Sequence, residues 1–143
     1  MNSLNFPPFD YRLKKIDDRP YIFDTARQRY VLLTPEEWVR QHLVHFLVDH
    51  RGYPEQLIAI EKEIDVCGLR QRFDVVCHHR DGLPCLVAEC KAPTVTLTPA
   101  AFEQASRYNI VLAARRLLVT NGHAHLCWEG GELLDGIPFY AAE

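Results

Sequence analysis

The sequence predicts an α/β protein, an α+β mixed sheet flanked by helices, and three observations point to it. Residues 70–91 read as two strands folded on the turn Asp81-Gly82, apolar on both faces as in a central sheet covered on each side. Two segments open with Thr-Pro followed closely by Glu or Gln, at Thr34-Pro35 and Thr98-Pro99, which is how capped helices begin. A second turn signal, Asn121-Gly122, joins two further short strands.

Length and composition bound the reading. The 143 residues suit one domain, with apolar residues at 48% and charged residues at 24% as in soluble globular proteins. No apolar run approaches the roughly 18 residues of a membrane span. The start Met-Asn-Ser-Leu-Asn-Phe-Pro-Pro lacks the charged and apolar regions of a signal peptide, so a cytoplasmic location is the default expectation. The five cysteines form no CxxC pair and read as reduced, small apolar residues, not as a zinc site or disulfide framework. A net charge of −3 gives no global attraction to nucleic acid and leaves only local basic patches for that purpose.

Taken in order, residues 1–33 are expected to form an N-terminal arm and a small hairpin packed on a single domain of residues 34–143. The arm is read as irregular over 1–19, and the hairpin pairs Tyr21-Ile22-Phe23 with residues 28–33. Thr34 as N-cap, Pro35 at N1 and Glu37 at N3 open a helix running to about His50 and stopped by Gly52. At 100° per residue, Glu36, Val39, Arg40, Leu43, Phe46 and Leu47 share a side, so Glu36 is expected to point toward the core. Glu37 lies away from that side and is explained by capping and by the helix dipole. For Glu36, a functional role and a first-turn acid stand level.

Residues 57–65 suit a strand, with helix a rival on local propensity, and Cys67-Gly68 turns the chain into the central hairpin. Ala92-Pro93 ends that hairpin. A second helix is expected from Thr98 to about Arg115, with Gln104 and Tyr108 on one face. Residues 117–120 and 123–128 read as strands, Gly130-Gly131 closes the regular part, and an irregular or edge segment finishes the chain.

The central hairpin carries three charges that a buried strand should not contain: Asp74, Glu89 and Lys91. A two-residue loop at Asp81-Gly82 places Asp74 directly opposite Glu89, and alternation puts Lys91 on the same face. Facing carboxylates among Val75, Val76, Leu86, Val87 and Ala88 repel and meet a heavy desolvation penalty unless neutralised. A divalent cation with Lys91 alongside resolves this, and hard oxygen ligands suit Mg²⁺. A structural ion-pair cluster is the bland reading, and the apolar flanks disfavour it. The pairs His78-His79 and His123-x-His125 are better read as surface histidines than as metal ligands. Ser3 and Ser106 are the only serines and neither lies on a nucleophile elbow.

On these residues the chain resembles the PD-(D/E)xK nuclease superfamily, and more closely the N-terminal nuclease domain of type I restriction enzyme R subunits. The match is carried by residues 34–41 (Thr-Pro-Glu-Glu-Trp-Val-Arg-Gln), Arg72-Phe73-Asp74, residues 87–93 around Glu89-Cys90-Lys91, Gln104-x-x-x-Tyr108-Asn109 and Thr120-Asn121-Gly122. The resemblance implies a restriction-endonuclease-like α-β-β-β-α-β core and Mg²⁺-dependent hydrolysis of DNA, with Mn²⁺ able to substitute. It implies Asp74 and Glu89 as metal ligands, the Cys90 backbone carbonyl as a third, and Glu36, or else Glu37, as the helix-borne acid completing the site. Lys91 would orient or deprotonate the attacking water and stabilise phosphate charge, while Gln104 and Tyr108 would position DNA and the active site. DNA is the implied partner, with a translocase or other restriction or repair subunits, and the fold's habit of cutting duplexes in pairs admits a homodimer. At this length the chain is too short to hold a motor as well, so processive restriction is not expected of it. The alternative is a non-catalytic nucleic-acid-binding or assembly module retaining the nuclease fold.

Overall fold

The structure is a computed structural model that describes residues 3–141; Met1, Asn2, Ala142 and Glu143 lie outside the described residues. Strands β1 (Leu13–Ile16), β2 (Arg19–Asp24) and β3 (Arg29–Leu32) form a three-stranded antiparallel sheet. Helix α1 (Pro35–Arg51) follows, then β4 (Ile58–Val66), β5 (Leu69–His78) and β6 (Pro84–Cys90), helix α2 (Pro99–Leu112), and β7 (Arg116–Thr120), β8 (His125–Glu129) and β9 (Glu132–Leu133). The last six strands make one sheet in the order β4-β5-β6-β7-β8-β9. Only β6 and β7 run parallel, because α2 is the crossover between them.

Both helices begin where the Thr-Pro signals place them. Thr34 accepts a hydrogen bond from the Glu37 N–H, and Thr98 accepts one from the Ala101 N–H. Gly52 ends α1 in a left-handed conformation. The helix α2 stops at Leu112, short of the expected Arg115, since Ala113 turns left-handed and the Asn109 side chain bonds both the N–H and the carbonyl of Ala114. That pair of bonds does the work a C-terminal glycine usually does.

Val39, Leu43, Val44 and Leu47 of α1 pack on one face of the large sheet with Val75, Cys77, Leu86, Ala88 and Leu118. On the other face, Ala105, Phe102, Tyr108 and Leu112 of α2 cover Phe73, Val76, Val87 and Val119. The central strands are thus buried on both sides, as their unbroken apolar runs require.

Two expectations need correction. Residues 1–19 are not irregular throughout: β1 pairs with β2 across Asp17 and Asp18, both at positive φ, and escaped notice because all four of its residues are exposed. The tail supplies the expected edge segment as β9, entered through Gly130-Gly131. The hairpin loop at Asp81-Gly82 is not a two-residue turn. The His79 carbonyl accepts from the Gly82 N–H and the His79 N–H donates to Leu83, which makes a three-residue loop with Gly82 left-handed at φ 90°. Cys77 then pairs with Leu86 and His78 with Pro84, so Cys85 is an extra residue in a bulge. The longer loop and the bulge cancel, and the pairing of Val75 with Ala88 is the one a two-residue loop would have given.

At the α1 end of the sheet, Gly122 (φ 89°) packs so closely that a Cβ there would lie 2.8 Å from a Leu4 methyl and 3.2 Å from a Val39 methyl. Gly122→Ala is therefore expected to cost about 2 kcal/mol and lower Tm by roughly 5 °C in thermal unfolding. An unchanged Tm would contradict this packing.

Candidate active site

The sheet delivers the two carboxyls to one place. The paired residues Val75 and Ala88 are the last of the β5–β6 ladder, and the next residue along each strand is Asp74 or Glu89. Where the ladder stops, the Asp74 side chain replaces the missing backbone partner: its Oδ2 accepts from the Cys90 N–H at 2.7 Å. The Asp74 and Glu89 carboxyls also share a hydrogen bond. Lys91 follows immediately, with its N–H donating to the Thr120 carbonyl at 2.8 Å, before Ala92-Pro93 carries the chain out of the sheet.

A backbone irregularity accompanies this. Glu61, opposite Asp74 on β4, is left-handed at φ 54°. Ile60 and Val75 pack on the α1 side of the sheet, whereas Ile64, Val66 and Phe73 pack on the α2 side. Strict alternation would keep Phe73 with Val75 and Ile60 with Ile64. Both strands therefore change face at the level of Glu61 and Asp74, which the alternation used on the sequence did not foresee.

The carboxyls lie in a cleft of about 880 Å³ lined from α1 by Glu36, Glu37 and Arg40, from β4 and β5 by Glu61 and Arg72, and from α2 by Gln104 and Arg107. Glu36 is exposed on the rim and does not point into the core. Glu37 is the more buried of the two, and it is not spent on capping alone: it bonds Arg40 and accepts from Gln41 at 2.9 Å and from Arg27 at 3.5 Å. Arg40, only 3% exposed, also bonds Asp24 at 2.8 Å. The spacing of Glu37 to Arg40 and Gln41, three and four residues on, was the signal in the sequence for this cluster. Gln104 donates to the Tyr108 hydroxyl at 3.2 Å, and Tyr108 packs against Phe73, so Gln104 reaches the cleft on a support anchored in the core. Tyr108 itself does not line the cleft.

Electrostatics at the pair follow from burial. Desolvation raises the Asp74 pKa, opposed by the Cys90 N–H, the bond to Glu89 and the charges of Lys91 and Arg40. Desolvation, then the Asp74 charge, pushes Glu89 up to about 8, with Lys91 opposing. Two acids held together in this way retain a proton between them unless a cation takes its place. Among the described residues no three His, Cys, Asp or Glu side chains converge as a ligand set, so Glu36 does not join the pair. Two carboxyls with hard oxygen donors fit Mg²⁺, which takes one or two protein carboxylates and keeps several waters. They do not fit zinc, and one histidine of each pair has other partners: His125 bonds Thr120 and the Asn5 carbonyl, and His78 bonds the Leu57 carbonyl and Lys62.

A six-stranded mixed sheet with a helix on each face, carrying Asp74 and Glu89-x-Lys91 in one cleft, defines a restriction-endonuclease-like domain. Residues 35–138 match the family described as the type I restriction enzyme R protein N terminus (HSDR_N), and the chain belongs to that family. A similar solved structure is a fragment of a chain assigned as the HsdR subunit of a type I restriction enzyme from Vibrio vulnificus YJ016. It superposes with a TM-score of 0.58 at 22% identity, covering 75% of this chain and 24% of that one. This chain thus spans about a quarter of that relative, and the likeness is one of fold. No curated protein matches it. No described helix is long and apolar enough to cross a membrane.

In metal-free protein both carboxyls hold a proton more tightly than in the unfolded chain. Their contribution to stability is therefore complete below about pH 4, where the unfolded carboxyls are protonated too. It is lost as the pH rises through about 8. Urea unfolding in chelator is expected to show stability falling between about pH 5 and pH 8, with a shallower fall in Glu89→Gln. An equal slope in both proteins would show that the pair does not share a proton.

Proposed function

We propose that this domain is a Mg²⁺-dependent nuclease that hydrolyses phosphodiester bonds of DNA. The observation that carries the reading is the buried Asp74–Glu89 pair on adjacent strands with Lys91 beside it, in a cleft of about 880 Å³. Asp74, Glu89 and the Cys90 carbonyl would hold the cation, with Mn²⁺ able to replace Mg²⁺. When bound, the cation supplies a water of lowered pKa and Lewis-acid stabilisation of the phosphoryl oxygens.

The chain's own groups do the rest. Lys91 carries a compact positive charge next to the pair, suited to orienting the attacking water and stabilising phosphate charge as it develops. Gln104, steadied by Tyr108, orients the substrate from the α2 side. Arg72 and Arg107 line the same cleft and offer charge to neighbouring phosphates, which compensates locally for a net charge of −3. Glu36, exposed on the rim of the same cleft, would act on the cation through its water shell. Family membership favours a role in restriction, alongside a translocase or other subunits in the cytoplasm. The five cysteines, all free, agree with a reducing compartment.

Cleavage of labelled duplex and single-stranded DNA is expected to require Mg²⁺ or Mn²⁺. Asp74→Asn and Lys91→Ala should each lower the rate about 10³-fold while the circular dichroism spectrum is retained. Cleavage in chelator, or full activity in either variant, would refute the assignment. Binding of DNA without cleavage of any form would favour the non-catalytic module instead.

A further inference from the structure

The loop between β2 and β3 brings one cation to the edge of the cleft and divides it among three elements. Arg27 directs Nε to Asp24 at 2.5 Å, Nη2 to Glu37 of α1 at 3.5 Å and Nη1 to Glu61 of β4 at 3.2 Å. Its side chain is 19% exposed, so these pairs are partly shielded from water. Glu61 also meets Arg72 of β5 at 3.3 Å. It is the residue at φ 54° where β4 and β5 change face, at the level of Asp74 between the Ile60–Val75 and Lys62–Phe73 pairs. A left-handed glutamate within a strand is unfavourable in isolation and persists only where its surroundings hold it. Here its Oε2 is held by both Arg27 and Arg72.

We propose that Arg27 is a positioning residue for the carboxylate site: by holding Glu61 at the kink, it aims Asp74 at Glu89 and at the Cys90 N–H. The consequence is that the N-terminal sheet is part of the working site, although it precedes residues 35–138 that match the family. Three separate nitrogens reach three carboxylates, a geometry that a fork-shaped guanidinium meets and a lysine ammonium does not. As a statement about catalysis the inference rests on the nuclease reading; as a statement about where Asp74 points, it does not.

The Cys90 amide reports on the device directly, because its acceptor is the Asp74 side chain and not a neighbouring strand. Lys91, whose N–H goes to the Thr120 carbonyl, is the internal control. Amide hydrogen exchange by NMR on the full chain is expected to speed up about tenfold at Cys90 and stay unchanged at Lys91 in Arg27→Gln. Glu61→Gln, which also loses Arg72, should speed it at least as much, and the double variant should be no worse than Glu61→Gln alone, since Arg27 acts on this amide through Glu61. Arg27→Lys should restore only part of the protection. In DNA cleavage, Arg27→Gln is expected to lower kcat about tenfold with KM little changed. Wild-type exchange at Cys90 in Arg27→Gln, additive effects in the double variant, or full rescue by lysine would each overturn the proposal. An inactive wild type would instead overturn the nuclease reading, with the exchange data still deciding whether Arg27 aims Asp74.

Discussion

Two carboxyl groups side by side in a largely buried setting cannot both be ionised without help, and much of this molecule can be understood from that constraint. Burial raises the proton affinity of Asp74 and Glu89, and the Asp74 charge makes ionisation of Glu89 harder still. Covering the central strands on both faces creates the burial. The end of the β5–β6 ladder then frees the Cys90 N–H to donate to Asp74, which returns part of what desolvation takes away. Lys91 and Arg40 add positive charge nearby. The result is a site where added positive charge is favourable, and a divalent ion, as proposed above, would bring more of it than a proton can.

The helices and most of the sheet were legible in the sequence because they rest on local chemistry. Thr34 and Thr98 cap the helices as their side chains allow, and Gly52 stops the first of them. The meeting of Asp74 with Glu89 was also legible, but through two errors that cancel: the loop is one residue longer than a two-residue turn and Cys85 takes up the difference. The strand β1 was not legible, since a strand exposed on every residue leaves no apolar alternation to read. Glu37 was half legible; its capping position was clear, but its ties to Arg27, Arg40 and Gln41 depend on a tertiary contact with the N-terminal sheet. The kink at Glu61 carries no sequence signal, because nothing about a glutamate announces a left-handed backbone.

The charged residues where the N-terminal sheet meets α1 obey the same physics as the carboxyl pair. Asp24 and Arg40 are almost fully buried, at 2% and 3% exposed, and buried ions are stable only when every partner is present. Removing one leaves the other unpaired in a low-dielectric setting. The contact between the N-terminal sheet and α1 is therefore specific in a way an apolar contact would not be: it fixes which residues meet, and with them the angle at which the first turn of α1 faces the carboxyl pair.

The paired irregularities of the β5–β6 hairpin have a consequence for how this segment can change length. Side chains in a strand have parity, odd residues on one face and even on the other, so a hairpin joining two functional residues must preserve the parity of the path between them. Here the extra loop residue and the bulged Cys85 are complementary frameshifts in three dimensions. A lone insertion or deletion between Asp74 and Glu89 would turn one carboxyl away from the other, whereas changes made in twos could be absorbed. Chain length in this segment is constrained as tightly as chemistry, even at positions whose side chains face only water.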